Sequence, residues 1–141
     1  MEVDQERVIT FPEGLLGFRD FRQYFLHESS PGAALIWMQS VEMPALAFVV
    51  IDPRLITADY EVKVSAGLLE ELELPDISSA QVWVILTIPE DATKMTANLQ
   101  GPLVINPDAH LGAQVVLNED GITTKYPVLE GLRAMGRASK A

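Results

Sequence analysis

The chain has 141 residues, no cysteine and a net charge of −10 at pH 7. This length predicts a single domain with its own core, and the absence of cysteine excludes disulfides, thiolate metal sites and cysteine nucleophiles. Residues 1–130 contain all twenty acids but only seven of the ten bases, a net charge of −13 that disfavours nucleic acid and suits a basic protein partner.

Prolines and glycines divide the first half of the chain into short segments rich in β-branched and aromatic residues, as in an antiparallel sandwich or barrel. Strands are predicted at 7–11, 23–28, 34–40 and 46–51. Residues 59–64 alternate, with Tyr60, Val62 and Val64 on one face and charged side chains on the other. This alternation predicts a further strand with one side in water.

The second half begins with one clear helical pattern, at 66–74, which ends before Pro75. Strands are then predicted at 81–88, 96–99, 103–106, 114–117 and 122–125, the last two joined as a hairpin by Asp120-Gly121. The chain after Pro127 favours either a short helix over 128–135 or a frayed end. We expect one domain over 1–130 and a short basic tail over 131–141.

These elements predict a mainly β protein, a small antiparallel β-barrel-like single domain with one or two short helices. Segments that are apolar on both faces need cover on two sides. A barrel with a helix packed outside it supplies that cover.

Signals of catalysis are weak along the whole sequence. His27 and His110 are far apart and have no metal-ligand spacing, and no serine lies in a nucleophile elbow. Gly14 to Gly17 lack the lysine of a phosphate-binding loop. We therefore predict no enzyme, no metal and no cofactor, and keep a hydrolase built on either histidine as a remote alternative.

Two groups of residues are candidates for binding a partner. The first is a run of acids interrupted by a single base: Asp59, Glu61, Glu70, Glu71, Glu73 and Asp76. The second is Met95, Thr96 and Asn98, beside the small residues Ala97 and Gly101. The simpler interpretations are a solvated helix face for the acids and a bulged strand turning a barrel corner for the second group.

A third possibility is a barrel that binds a small apolar ligand. The aromatic residues Trp37, Phe48 and Trp83 could surround such a molecule. Aromatic residues in a small barrel more often fill its core.

Five segments of the chain, in order, resemble the FliW family of flagellar assembly factors. They are ITFPEGLLGF (9–18), MQSVE with LAFVVIDP (38–42 and 46–53), DYEV (59–62), ILTIPED (85–91) and MTANLQGPLVIN (95–106). The resemblance spans about residues 7–127. Family members usually begin with a further strand, which is shortened or missing here, and place aromatic residues where this chain has Arg54-Leu55-Ile56.

The resemblance implies a small β-barrel-like protein, monomeric when free, that has no enzymatic activity. It implies binding to flagellin and to the RNA-binding translational regulator CsrA, whose repression of flagellin synthesis the factor relieves. A cytoplasmic location is also expected, because the first ten residues carry acids where a secretory signal needs bases. No apolar run reaches the roughly 20 residues that span a bilayer.

Overall fold

The structure, a computed structural model, describes residues 7–28 and 30–140, with side chains up to residue 136. Its strands and helices, in chain order, are β1 (Val8–Thr10), β2 (Gln23–Glu28), β3 (Ile36–Ser40), β4 (Ala47–Ile51), α1 (Ala66–Glu71), β5 (Gln81–Thr87), β6 (Thr96–Ala97), β7 (Leu103–Asn106), β8 (Leu111–Gln114), β9 (Tyr126–Pro127) and α2 (Val128–Lys140). Single 3-10 turns lie at Pro53–Leu55, Ile77–Ser79 and Ala92–Lys94.

Seven of the strands close into a barrel. Going round it, the order is β1, β2, β3, β4, β5, β7 and β8, and β8 returns to β1. The β1–β8 pair is parallel and every other pair is antiparallel. The short strands β6 and β9 continue the sheet from the end of β5. The predicted mainly β barrel is therefore confirmed.

The barrel interior is filled by side chains. Phe11 and Tyr24 are completely buried there and meet edge to face, with ring centroids 5.6 Å apart. Leu103 and Ile105 of β7 pack on the same cluster from the opposite wall. At its mouth Gly14 has a φ of +67°. A Cβ there would lie 2.6 Å from the Arg19 Cα, so the loop after β1 requires glycine.

Two further apolar clusters lie outside the barrel wall, which explains the strands that are apolar on both faces. One, over β4, β5 and β6, is covered by α2 through Val128 and Leu132. There Gly131 lets the helix approach so closely that a Cβ would be 2.5 Å from the Ile56 carbonyl oxygen. The other, centred on Val104 of β7, is covered by α1 and residues 59–64.

Two predicted strands are wrong, and the hairpin at Asp120-Gly121 with them. Residues 59–64 form no ladder, although Tyr60, Val62 and Val64 do face inward as predicted. Residues 122–125 are also irregular, and the strand near them, β9, begins only at Tyr126. In both places apolar side chains pack on the outside of the barrel although no strand lies beside the segment. Apolar and polar residues can therefore alternate without hydrogen bonding to a neighbouring strand.

The other elements were predicted to within a few residues. The strand predicted at 114–117 is displaced, since β8 covers Leu111–Gln114. The helix predicted over 66–74 ends at Glu71, and the helix predicted over 128–135 continues to Lys140. The predicted loss of an N-terminal strand concerns residues outside the described part of the chain.

Glu42 ties the β3–β4 loop to the start of β2. Its carboxylate accepts hydrogen bonds from the Arg22 and Gln23 backbone N–H groups at 2.6 and 2.8 Å, and these bonds lower the pKa of the carboxyl. Because the pKa of Glu42 is lower in the folded chain than in the unfolded chain, its carboxylate stabilises the fold at any pH above the unfolded pKa. This contribution is lost as the pH falls through the folded pKa.

We therefore expect Glu42→Gln to lower the melting temperature by roughly 2–4 °C at pH 7, and by less as the pH falls to 3. Glutamine keeps the acceptor oxygen and removes only the charge. Thermal unfolding followed by circular dichroism at pH 7, 5 and 3 measures the difference. An equal difference at all three pH values would contradict the prediction.

Candidate protein-binding surface

The predicted acids share one surface, which we call the acidic layer and define as residues 59–79. It covers the outer face of β7 and β8 and consists of three parts: residues 59–64, here named the crossing segment, then α1, then the turn at Ile77–Ser79. All six predicted acids in it are exposed: Asp59, Glu61, Glu70, Glu71, Glu73 and Asp76. The structure thus brings together the first predicted group.

Helix α1 is held at both ends by local hydrogen bonds. The Ser65 hydroxyl accepts from the Leu68 N–H at 3.1 Å, an N-cap. At the other end the Leu74 N–H donates to the Leu69 carbonyl at 2.8 Å, and the Glu73 N–H donates to the Glu70 carbonyl at 3.0 Å. This is a Schellman motif, whose left-handed position is usually glycine. Here Glu73 occupies it, with a φ of +57°.

We expect Glu73→Gly to raise the free energy of unfolding by about 0.5–1 kcal/mol, because glycine adopts this φ without strain. Glu71→Gly, within the helix, is the matched control and should lower it by about 1 kcal/mol. Urea unfolding of the two variants measures both changes. A loss of stability in Glu73→Gly would show that the Glu73 side chain stabilises the helix end.

Asn106 fastens the acidic layer to the barrel. Its side chain is buried and its Nδ2 donates to the Leu72 and Glu73 carbonyls at 2.8 and 3.1 Å. Its Oδ1 accepts from the N–H groups of Asp108 and Ala109 at 3.1 and 3.3 Å. One side chain therefore joins the end of α1 to the end of β7.

The end of the acidic layer and the crossing segment have further contacts of their own. Hydrogen bonds from Ser78, chiefly from its hydroxyl, lower the pKa of Asp76, which favours the negative form of that exposed carboxyl. In the crossing segment, the Tyr60 hydroxyl donates to the Leu99 carbonyl at 2.5 Å, and burial raises the pKa of this tyrosine. Lys63 pairs with Glu119 at 3.9 Å.

Three grooves border the acidic layer. The first has a volume of about 670 Å³ and lies between the crossing segment, the turn at Pro53–Leu55 and the start of β5. The second, about 470 Å³, separates α1 from the loop after β1 and has Glu13 and Glu71 on its walls. The third, about 400 Å³, lies beside Glu73 and Asp108. The acidic layer is therefore bordered by grooves on several sides.

At the rim of the first groove, Asp52 and Arg54 form a two-pronged ion pair, with Arg54 Nη2 at 2.6 Å from Asp52 Oδ2. Partial burial raises the pKa of Asp52, but the hydrogen bonds from Arg54 outweigh it and hold the pKa below the ordinary value. Sequence reasoning missed these two residues as part of the site. The sequence indicated Asp52 and Pro53 only as part of the family segment 46–53, and Arg54 only as a departure from the family pattern.

The second predicted group is outside the acidic layer but next to it, since Tyr60 and Met95 pack on the same apolar cluster. Met95 is half-buried against the apolar cluster under α2, and Thr96 pairs with Thr87 and Pro127. Asn98 Oδ1 accepts from the N–H groups of Gln100 and Gly101 at 3.0 and 3.1 Å, which holds the turn before β7. These contacts match the simpler interpretation of a strand turning a corner.

The histidines and aromatic residues of the alternative hypotheses are scattered. The His27 ring stacks on Phe25 at 5.5 Å, and His110 Nδ1 lies 3.2 Å from the Val8 carbonyl oxygen. Phe48 and Trp83 pack against the interior core, whereas Trp37 faces outward and is 39% exposed. The three aromatic residues therefore do not surround one cavity.

Membrane-spanning helices and metal-binding clusters are both absent from the described residues. Neither helix in that part of the chain has the length and apolar character that a membrane crossing requires. In the same residues, no three His, Cys, Asp or Glu side chains come together in a way that could hold a metal ion.

Comparison with known proteins places these features in a family. The family model of the FliW protein matches residues 1–128. A flagellar assembly factor FliW of Natranaerobius thermophilus is 40% identical over 139 residues, covering 96% of this chain and 92% of that protein. One from Alkaliphilus metalliredigens is 39% identical, covering 99% and 86%.

A solved structure supports the same family assignment. A crystal structure of the flagellar assembly factor FliW superposes with a TM-score of 0.84 at 34% identity, covering 91% of this chain and 89% of that one. The fold described above is thus shared with a structure determined by experiment. The chain belongs to the FliW family of flagellar assembly factors.

Proposed function

We propose that this protein is a non-enzymatic regulator that binds flagellin in the cytoplasm and, when flagellin is exported, binds a CsrA-type translational regulator instead. Binding CsrA would relieve the repression of flagellin synthesis. Membership of the FliW family carries this proposal, and the acidic layer is the surface assigned to CsrA.

Charge supports that assignment. An RNA-binding protein presents a basic surface to phosphates, and six exposed acids of the acidic layer give it an opposite field. Complementary charge accelerates encounter and selects against acidic competitors. A protein bound there would also meet a negative body that repels incoming RNA.

Two partners that exclude one another would make the protein a stoichiometric sensor. Free flagellin occupies the factor, and its export releases the factor to CsrA by mass action. No bond is made or broken in this scheme.

The test is size-exclusion chromatography of the purified protein with CsrA and, separately, with flagellin. We expect wild type to co-elute with each. Replacing Glu70, Glu71 and Glu73 together by lysine should abolish co-elution with CsrA, because three attractive charges become repulsive. The loss of affinity should be at least about a hundredfold, from roughly 1 kcal/mol or more per reversed charge.

The matched control reverses three exposed acids outside the acidic layer: Asp20, Glu90 and Glu130. This variant has the same net charge as the first, so retained CsrA binding would localise the effect. Circular dichroism confirms that each variant is folded. Co-elution of the Glu70, Glu71 and Glu73 variant with CsrA at wild-type affinity would exclude the acidic helix as the site. Elution of wild type alone in both mixtures would overturn the proposed function.

A further inference from the structure

The crossing segment has an unusual main chain. Its side chains alternate between exposed and half-buried along residues 59–64, which is the period of two of an extended chain. Within the described residues, however, no hydrogen bond is made by its backbone N–H or C=O groups. An extended segment with unpaired main-chain groups is a template on which another strand can pair.

A second unpaired edge lies across the first groove. Residues 81–83 of β5 pair with β7 on one side, but on the other side β4 pairs only with Val84 and Ile85. The ladder stops there because β4 ends at Ile51, where Asp52 caps a 3-10 turn and Pro53 has no N–H to donate. The groove thus lies between two extended stretches of main chain.

The groove has the dimensions and the lining of a site for an extended peptide. Its volume of about 670 Å³ is within the range of ligand-binding clefts. Apolar side chains contribute to its lining, among them Val64, Ile77 and Val82. They would receive every second side chain of an added strand, as the period of two requires.

Charge indicates which peptide fits. Asp59, Glu61 and Asp76 are exposed on the crossing segment and beside it, whereas Lys63 already pairs with Glu119. The opposite rim is neutral, because Arg54 pairs with Asp52. Both bases of the groove lining are thus paired with acids, which leaves the negative charge of Glu61 in the lining and that of Asp59 and Asp76 beside it. Complementary side chains on an added strand are basic.

We propose that the crossing segment binds an extended, basic segment of a partner protein by strand addition, with alternate apolar side chains of that segment entering the first groove. This proposal rests on the proposed function, because it assumes that the ligand of this chain is a protein. It adds the mode of binding and the chemistry of the bound segment. Main-chain hydrogen bonds supply affinity in such complexes, and alternate side chains supply specificity.

The probe is the capped hexapeptide Lys-Val-Lys-Val-Lys-Val, added to the full chain. Hydrogen exchange measured by NMR reports each backbone amide. We expect exchange to slow at least about tenfold at every second amide among residues 60–64, since only the N–H groups that point toward the added strand gain hydrogen-bond partners. The same peptide N-methylated at alternate amides, which keeps the charges and side chains, should bind at least about tenfold more weakly.

Charge is tested separately from the main chain. Glu61→Lys should weaken binding of the lysine peptide at least about tenfold, and Asp20→Lys, an exposed reversal elsewhere, should leave it unchanged. The peptide Glu-Val-Glu-Val-Glu-Val should not bind wild type. Equal binding of the acidic and basic peptides would overturn the assignment of a basic segment.

Three results would overturn strand addition: no binding of the lysine peptide, binding without protection of residues 60–64, or equal binding of the N-methylated peptide. If any of these occurs while the partner proteins still co-elute, strand addition is wrong and the proposed function stands. If the peptide protects residues 60–64 but no partner protein co-elutes, the site exists and the proposed function fails. The two proposals are thus separable.

Discussion

Phe11→Ala is expected to lower the free energy of unfolding by about 3–5 kcal/mol, the usual cost of removing a large aromatic side chain from a core. Phe11 is completely buried in the barrel interior and packs edge to face on Tyr24. On its other side it touches Gly112 so closely that a Cβ there would lie 2.7 Å from the ring. The surrounding barrel wall is hydrogen-bonded and cannot collapse into the space.

Phe18→Ala is the matched control. Phe18 is in the same loop region and also meets another ring edge to face, that of Phe48 at 5.3 Å, but it is 37% exposed. Its removal should cost about 1 kcal/mol. Urea unfolding of both variants gives the comparison through the midpoint and slope. Similar losses in the two would mean that the interior core is loosely packed.

The barrel was predictable because its strands carry a strong local signal. Gln23–Glu28 and Leu103–Asn106 were predicted to the residue, since each is bounded by turn residues and rich in strand formers. Strands apolar on both faces also indicated cover outside the wall, which α1 and α2 provide. The pairing of β8 with β1, which closes the barrel, could not be predicted from the sequence, because a parallel contact between distant segments leaves no local pattern.

The crossing segment shows where periodicity fails. Its alternation arises because Tyr60, Val62 and Val64 pack on clusters outside the barrel wall, and this gives the same pattern as a hydrogen-bonded strand. A single sequence reports which side chains are buried, but it does not report what lies beside the main chain. The predicted strand was wrong for this reason.

The acidic residues of the candidate site could be predicted from the sequence, but the grooves beside them could not. Six acids in one stretch predicted an acidic surface, and they do lie on one layer. The grooves beside them were not predictable, since residues far apart in sequence, such as Arg54 and Val82, share their walls. Asn98 was a binding candidate whose simpler interpretation was a strand turning a barrel corner, and it does hold a turn. The buried Asn106 gave no signal beyond its place in the family segment.

Asn106→Ala tests whether the acidic layer depends on that anchor. The substitution leaves two carbonyls of α1's end and two N–H groups after β7 without the partner they have in the fold. We expect the free energy of unfolding to fall by about 2–4 kcal/mol. This is less than the summed cost of leaving four buried polar groups without a hydrogen bond, because water reaches some of them. Hydrogen exchange should quicken more in residues 66–74 than in the barrel strands.

Asn98→Ala removes a half-buried asparagine with two local hydrogen bonds and is the matched control for the loss of an amide. It should cost about 1 kcal/mol and leave exchange in residues 66–74 unchanged. If Asn106→Ala weakens the proposed binding of CsrA although every acid remains, the acids act only when α1 is fixed on the barrel. If binding persists while α1 exchanges freely, the charges suffice without a fixed geometry. In that case the acidic layer and CsrA would be complementary in electrostatic potential rather than in shape.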